Sequence, residues 1–146
     1  MGERQPGRYG DVVRVTMMLA DAAQEVNGKL YVLGGGWSIT GPTPPPMAIA
    51  LKLDVPWTDA GRPHDFRLSL VDADGHPVPG TGDGPIEAGG RFEVARPPGL
   101  PAGTDIDFAL AVTVGPLPLA PGRYAWQLWI DGETHVDWQR PFQVRA

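Results

Sequence analysis

The chain has 146 residues, a formal net charge of −5 and no cysteine. This length is typical of one domain, and the lack of cysteine excludes disulfides and thiolate metal sites. Acidic and basic residues are scattered, which argues against a nucleic-acid partner. No apolar run approaches the ~18 residues that a membrane-spanning helix needs, so we predict no membrane partner.

Residues 1–10 are rich in Gly and polar side chains, and we predict that they form a disordered tail before a domain over 11–146. They lack a basic stretch followed by an apolar run, so no signal peptide is predicted. Because small secreted sandwiches often carry disulfides, the lack of cysteine favours a cytoplasmic location.

Most of the chain consists of short apolar runs bounded by Gly and Pro, many with a strict period of two. This pattern predicts strands with one buried face. In chain order the predicted strands are 13–19, 29–33, 37–40, 47–55, 66–70, 92–94, 106–114 and 124–130. Between them we expect at most a turn or two of helix over 21–26, a tight turn at Asn27-Gly28, a Pro-rich connection over 41–46 and a flexible loop over 77–90.

The strand over 124–130 and a final strand that begins at Thr134 can be aligned by parity. A three-residue turn over 131–133 would pair Ile130 with Thr134, Leu128 with Val136 and Trp126 with Trp138, which buries both tryptophans. A two-residue turn would instead bury a carboxylate, because a shift of one residue exchanges the two faces of a strand. The three-residue turn is therefore the prediction.

Four segments carry three resemblances to known proteins. Residues 119–126 (LAPGRYAW) resemble the tyrosine corner of immunoglobulin-like folds, in which an inward Tyr binds nearby backbone. Residues 66–75 are similar to a strand and turn of bacterial sandwich domains. Residues 19–23 (LADAA) and 28–37 (GKLYVLGGGW) resemble an uncharacterised, largely actinobacterial family. The resemblances imply an immunoglobulin-like antiparallel β-sandwich and carry no activity.

No motif of catalysis or ligand binding is complete. The run 34–36 (GGG) lacks the Lys and the helix of a phosphate loop. A plain turn is favoured at 72–75, and the alternative is a weak calcium site formed by Asp72, Asp74 and Asp83. The histidines have no partners at metal spacing, and no serine has the setting of a nucleophile. We predict no catalytic residue, no cofactor and no metal.

Two outer sheet faces are candidates for interaction. One would carry Trp129, His135, Gln127 and Asp137, where Trp129 is either a binding anchor or covered by a loop or the N-terminal tail. The other would be flat and floored by the methyl groups of two neighbouring strands, a surface that invites a second copy or a partner protein. Its residues are Ala48, Ala50, Ala109 and Ala111.

Two functions follow from these features. The first is a non-enzymatic cytoplasmic binding or assembly module that acts through self-association or a protein partner. The alternative is a small-molecule-binding or hydrolytic domain with a pocket at the loop end near Trp57, His64 and Asp65. A cleft on which those three side chains converge would favour the alternative.

Overall fold

The computed structural model describes residues 12–82 and 84–146, and they form an all-β protein with two sheets. The predicted tail over 1–10 lies outside the described residues. The strands are β1 (Arg14–Val26), β2 (Lys29–Gly35), β3 (Ile39–Thr40), β4 (Met47–Val55), β5 (Pro63–Asp72), β6 (Glu87–Glu93), β7 (Ile106–Val114), β8 (Gly122–Ile130) and β9 (Gln139–Val144). A 3-10 helix, Trp57–Asp59, follows β4. The described part contains no helix that is long and apolar enough to span a membrane.

The first sheet has the order β2-β1-β4-β7 and the second has the order β3-β9-β8-β5-β6. All neighbouring strands are antiparallel except β3 and β9. The inner faces of the two sheets enclose one apolar core, as the period-two pattern predicts. Trp126 and Trp138 both lie in this core, which confirms their predicted burial.

The segment 119–126 makes the hydrogen bond that the tyrosine corner implies. The Tyr124 hydroxyl donates to the carbonyl oxygen of Ala120 at 2.7 Å. Its ring stacks on Phe142, with the ring centroids 5.8 Å apart. The hydrogen bond to Ala120 anchors the start of β8 to the connection that precedes it.

The prediction of helix over 21–26 was wrong, because β1 continues through these residues to Val26. Asn27 and Gly28 have φ angles of 52° and 79°, the left-handed values that a two-residue turn requires. The turn returns the chain directly into β2, and pairing with β2 then holds 20–26 extended. The predicted loop over 77–90 also ends early, since β6 begins at Glu87.

The predicted alignment of the last two strands was wrong as well. Asp131 and Gly132 form a two-residue turn with φ angles of 51° and 81°, and Ile130 bridges to Glu133. Residues 134–137 then leave the ladder. The Trp138 carbonyl oxygen accepts the backbone N–H of Leu128, so Trp126 pairs with Arg140 instead of Trp138. Val136, a predicted core residue, is 86% exposed in this excursion. Trp138 is buried nevertheless, and its indole N–H donates to the carbonyl oxygen of Val13.

Candidate functional site

The alanine face on the outer side of the first sheet is neither flat nor accessible. Strands β4 and β7 are neighbours as predicted, and Ala50 pairs with Ala111. However, Ala48, Ala50 and Ala109 are buried, with 0%, 3% and 7% exposure, and Ala111 is half-buried. The prediction of an open methyl-floored face was wrong in this respect.

The curl of the first sheet explains the burial of these alanines. Strands β1 and β7 lie close across β4, which small side chains permit. On the outer side, residues 23–25 of β1 face Ala109, Ala111 and Thr113 of β7 across a cleft of about 490 Å³. The sheet therefore covers its own alanines, and they need no partner to remove them from water.

A charged cluster closes one end of the same outer face. The Lys52 ammonium contacts the carboxylates of Asp54 and Asp107, and Arg14 pairs with Asp105 at 3.0 Å. Partial burial lowers the pKa of Lys52, but its hydrogen bonds to Asp107 and Asp54 outweigh this and raise the pKa above 10.5. This end of the face is thus a solvated ion-pair network.

The outer face of the second sheet exposes less of its predicted interaction residues than the sequence suggested. Trp129 is half-buried, and the Arg67 guanidinium lies over its ring at 4.9 Å. Among the described residues, Arg67 of β5 therefore covers part of the Trp129 ring; the predicted tail lies outside the described residues. Gln127 lies on β8 and is half-buried. His135 is exposed in the turn that follows, and its ring is 4.4 Å from that of Trp138.

A cleft of about 500 Å³ opens at the end of the sandwich where β5 begins and β8 ends. His64 and Asp131 line it, together with Asp59, Arg62, Glu133 and His135. Trp57 and Asp65 of the alternative prediction do not line this cleft. Trp57 packs on the core in the 3-10 helix, beneath the Arg96 guanidinium, and Asp65 lies in a shallow cleft beside Trp129.

His64 is 5% exposed, and an acceptor faces each of its ring nitrogens. Its Nδ1 is 2.7 Å from a carboxylate oxygen of Asp131, and its Nε2 is 2.7 Å from the carbonyl oxygen of Asp59. Only the imidazolium can donate to both acceptors. Burial lowers the pKa of His64, but the hydrogen bonds to Asp131 and Asp59 outweigh it and raise the pKa above 6.5.

Asp131 is held by the same contacts. Its second carboxylate oxygen accepts the backbone N–H of Asp65 at 2.9 Å. Burial raises the pKa of Asp131, but the hydrogen bonds from His64 and Asp65 outweigh this and lower the pKa below 3.8. The pair fastens the turn of β8 to the start of β5, and a ring with both nitrogens engaged has none free to act as a base.

We expect this pair to make stability depend on pH in a defined way. The contribution of His64 is fully present below pH ~6.5 and is lost as the pH rises through its raised folded-state pKa, while that of Asp131 is lost as the pH falls through its lowered pKa. Asp131→Asn should therefore cost about 1 kcal/mol near pH 6, a modest value because the carboxylate is 43% exposed. Urea denaturation from pH 4 to 9 measures it.

Asp65→Asn is the matched control, because the Asp65 carboxylate pairs with Arg91 and makes no contact with His64. It should leave the pH profile unchanged. A wild-type profile that stays flat between pH 6 and 9 would contradict the assignment of a charged His64.

Among the described residues, Asp72, Asp74 and His76 are close enough to share an ion. One oxygen of Asp72 already accepts the backbone N–H groups of Asp74 and His76, at 2.9 and 3.0 Å. These bonds form the turn that the sequence favours at this position. Asp83, the third predicted calcium ligand, lies outside the described residues.

Among the described residues, five of the eight exposed large apolar side chains lie on the β1–β2 hairpin, which the predicted interaction residues did not include. Register and parity place Met18, Val26, Tyr31 and Leu33 on one face of this hairpin. All four are exposed, Tyr31 to 56% and Leu33 to 73%. The apolar side chains of β2 do not belong to the core cluster of the described residues, so packing within that part of the chain does not account for them.

No described strand is hydrogen-bonded to the outer edge of β2, although part of β2 lies close to β7 and β4 across the curled sheet. The two-residue turn closes on the pair Val26–Lys29. This pair determines which residues of β2 direct their backbone N–H and C=O groups toward β1. Lys29, Tyr31 and Leu33 direct their backbone groups to β1, and Leu30 and Val32 direct theirs outward. The four residues 30–33 carry neither a charge nor a proline, the usual protections of an edge strand.

The other edge strands of the described part lack a long, uncharged and exposed apolar run like that of β2. Strand β6 carries Glu87, Arg91 and Glu93, and β3 is two residues long. The inward apolar side chains of β7 pack against the core. The sequence did contain a signal for the β2 edge, because the run LYVL lies between the Asn27-Gly28 turn and 34–36 without alternation, but its place at a sheet edge depends on the topology.

A family model described as "Family of unknown function (DUF6941)" matches residues 15–145. No curated protein matches the chain. Among solved structures, the chain is similar to the Pseudomonas fluorescens alkylpurine DNA glycosylase AlkC bound to DNA containing an abasic site analog, with 15% sequence identity and a TM-score of 0.43. The likeness covers 92% of this chain and 30% of that one, so the chain spans under a third of that protein's length.

Proposed function

Since the chain belongs to the family of unknown function DUF6941, with no family activity to transfer, we propose from its own geometry that it is a non-enzymatic binding or assembly module. Its docking surface is the open edge of β2 together with the apolar face of the β1–β2 hairpin. The occupant is an extended segment of polypeptide that adds as a strand to β2. The observation that carries the proposal is an uncharged, exposed apolar run on an edge without protection.

Strand addition suits this edge for two reasons. The outward backbone groups of Leu30 and Val32 would exchange water for an added strand, which supplies affinity without a deep pocket. Tyr31 and Leu33 would then lose exposed apolar surface against side chains of the occupant, at about 25 cal/mol per Å².

We extend the proposal to the topology of the domain, its cellular location and its origin. An immunoglobulin-like topology is supported by the pairing of β4 with β7, by the order β9-β8-β5-β6 and by the Tyr124 hydrogen bond. The absence of cysteine supports a cytoplasmic location. The residues that resemble an actinobacterial family support a bacterial origin.

Val32→Pro tests strand addition with little disturbance to the fold. The substitution removes an N–H that points outward, and proline is tolerated at such edge positions. Ile39→Lys is the matched control, because Ile39 is also exposed, at 61%, on an edge strand of the second sheet. Tagged full-length chains would be used for capture from native lysate, with hydrogen exchange on the recovered complexes.

We expect Ile39→Lys to retain the partners of the wild type and Val32→Pro to lose them. The recovered wild-type complex should protect the amides of Leu30 and Val32 from exchange. If wild type and Val32→Pro are equal in both capture and self-association, with both folded by circular dichroism, the proposal is overturned.

A further inference from the structure

We propose that the strand docking on β2 is the β2 strand of a second copy of this chain. The two copies would pair antiparallel, with a two-fold axis through Val32. This inference rests on the proposed function and names its partner. It follows from the length of the free edge, its backbone orientation and the order of its side chains.

The length of the free edge of β2 determines where the two-fold axis lies. The outward backbone groups begin at Leu30, just after the turn, and end at Gly34, where φ is +60°. The Asp21 carboxylate lies over Gly34, where a Cβ atom would collide with it. The usable edge is therefore 30–34, and its middle residue is Val32.

The backbone of this edge is complementary to itself. With the axis through Val32, the N–H and C=O groups of Val32 bond to those of Val32 in the second copy, and Leu30 faces Gly34. Every outward group from Leu30 to Val32 then has a partner. An axis through Leu30 would instead place Val32 opposite the Gly28 turn and leave Leu33 without a strand beside it.

The side chains agree with the same register. Tyr31 lies directly opposite Leu33 of the second copy, and the symmetry repeats this pair, so that the two most exposed large apolar side chains of β2 cover each other. Cross-strand aromatic–aliphatic pairs of this kind stabilise antiparallel sheets. Val26 and Met18, exposed on the same face of the hairpin, extend the apolar contact on each side.

The charges near the edge do not oppose the pairing. Lys29 is the charged residue of β2, and in this register it lies opposite Gly35 of the second copy. The two Lys29 side chains are then about six residues apart along the strands, roughly 20 Å, which exceeds the screening length of about 8 Å at physiological ionic strength. The result is one continuous sheet through both copies, with the order β7-β4-β1-β2 repeated in reverse.

Cysteine substitution tests both the partner and the register, because the chain has no native cysteine. Val32→Cys should form a disulfide-linked dimer under mild oxidation, since a paired residue on the axis meets its own counterpart at about 5.5 Å between Cα atoms. Lys29→Cys is the matched control on the same strand and should remain monomeric on a non-reducing gel. Mixing Tyr31→Cys with Leu33→Cys should yield the mixed dimer in excess over either homodimer.

Sedimentation velocity on the full chain gives the second readout. We expect a concentration-dependent dimer for wild type and Ile39→Lys, and a dissociation constant raised by about tenfold or more, ~1.4 kcal/mol, in Val32→Pro. A chain that lacks residues 1–11 should dimerise as wild type does, which excludes the N-terminal segment as the occupant.

A wild type that stays monomeric at high concentration overturns this inference, as does a dimer that Leu30→Cys links and Val32→Cys does not. The proposed function fails separately. It survives a monomeric wild type if Val32→Pro still abolishes capture of a different protein, and it falls if Val32→Pro changes neither dimerisation nor capture.

Discussion

Trp126→Ala should lower the free energy of unfolding by about 3–5 kcal/mol, the range for removing a large buried aromatic side chain. Trp126 is 1% exposed and lies in the core cluster at the centre of β8. Its neighbours across the strands are Leu70 on β5 and Arg140 on β9. Both adjacent strands hold their positions by their own ladders, so the core cannot collapse fully into the space, and the cavity term adds to the lost transfer free energy.

Trp129→Ala is the matched control for this prediction. Trp129 lies three residues along the same strand, is half-buried and faces outward beneath Arg67. It should cost clearly less than Trp126→Ala, since its removal opens no interior cavity. The measurement is the denaturant midpoint, and equal midpoints for the two variants would contradict the inward position of Trp126.

Ala48→Asp should destabilise the chain by roughly 3–5 kcal/mol, comparable to leaving an uncompensated charge buried. Ala48 has no exposed surface, and its neighbours in register are Ala20 and Thr113. An aspartate is too short to reach water from this position. Because protonation relieves the cost, the loss of stability should grow as the pH rises above about 4.

Ala22→Asp is the control for the alanine face. Ala22 is on the same side of β1, two residues beyond Ala20, but it is exposed. Its substitution should change the melting temperature little and show no added dependence on pH. Equal stability of both variants would show that the curl does not bury Ala48. By the same reasoning, Ala109→Arg would test the fold and not a contact, since Ala109 is itself buried.

Local patterns in the sequence predicted much of the fold. The period of two in 47–55, 106–114 and 124–130 predicted β4, β7 and β8 closely, because one buried face imposes that spacing directly. The same parity predicted the burial of Trp126. The Asn27-Gly28 turn was also predictable, since few residue pairs adopt left-handed φ at both positions.

Parity was insufficient where the chain leaves a ladder. Residues 134–137 form an excursion that shifts β9 by two residues relative to the predicted alignment, and a shift of two leaves the buried face unchanged. Burial of Trp138 is therefore compatible with both registers. The turn at Asp131 and Gly132 is determined in part by His64, 67 residues away from Asp131 along the chain, which no local pattern contains.

The sequence by itself determined the all-β class, most strand positions, the core tryptophans and the absence of cysteine chemistry, because each of these depends on residue type or on spacing within one strand. The tertiary structure alone decided which surfaces are open. Curvature of the first sheet buried the alanine face that looked accessible, and the strand order left β2 at an edge with Tyr31 and Leu33 in water. Exposure is a property of neighbours that are distant in sequence, so the candidate docking surface became visible only when the strands were placed side by side.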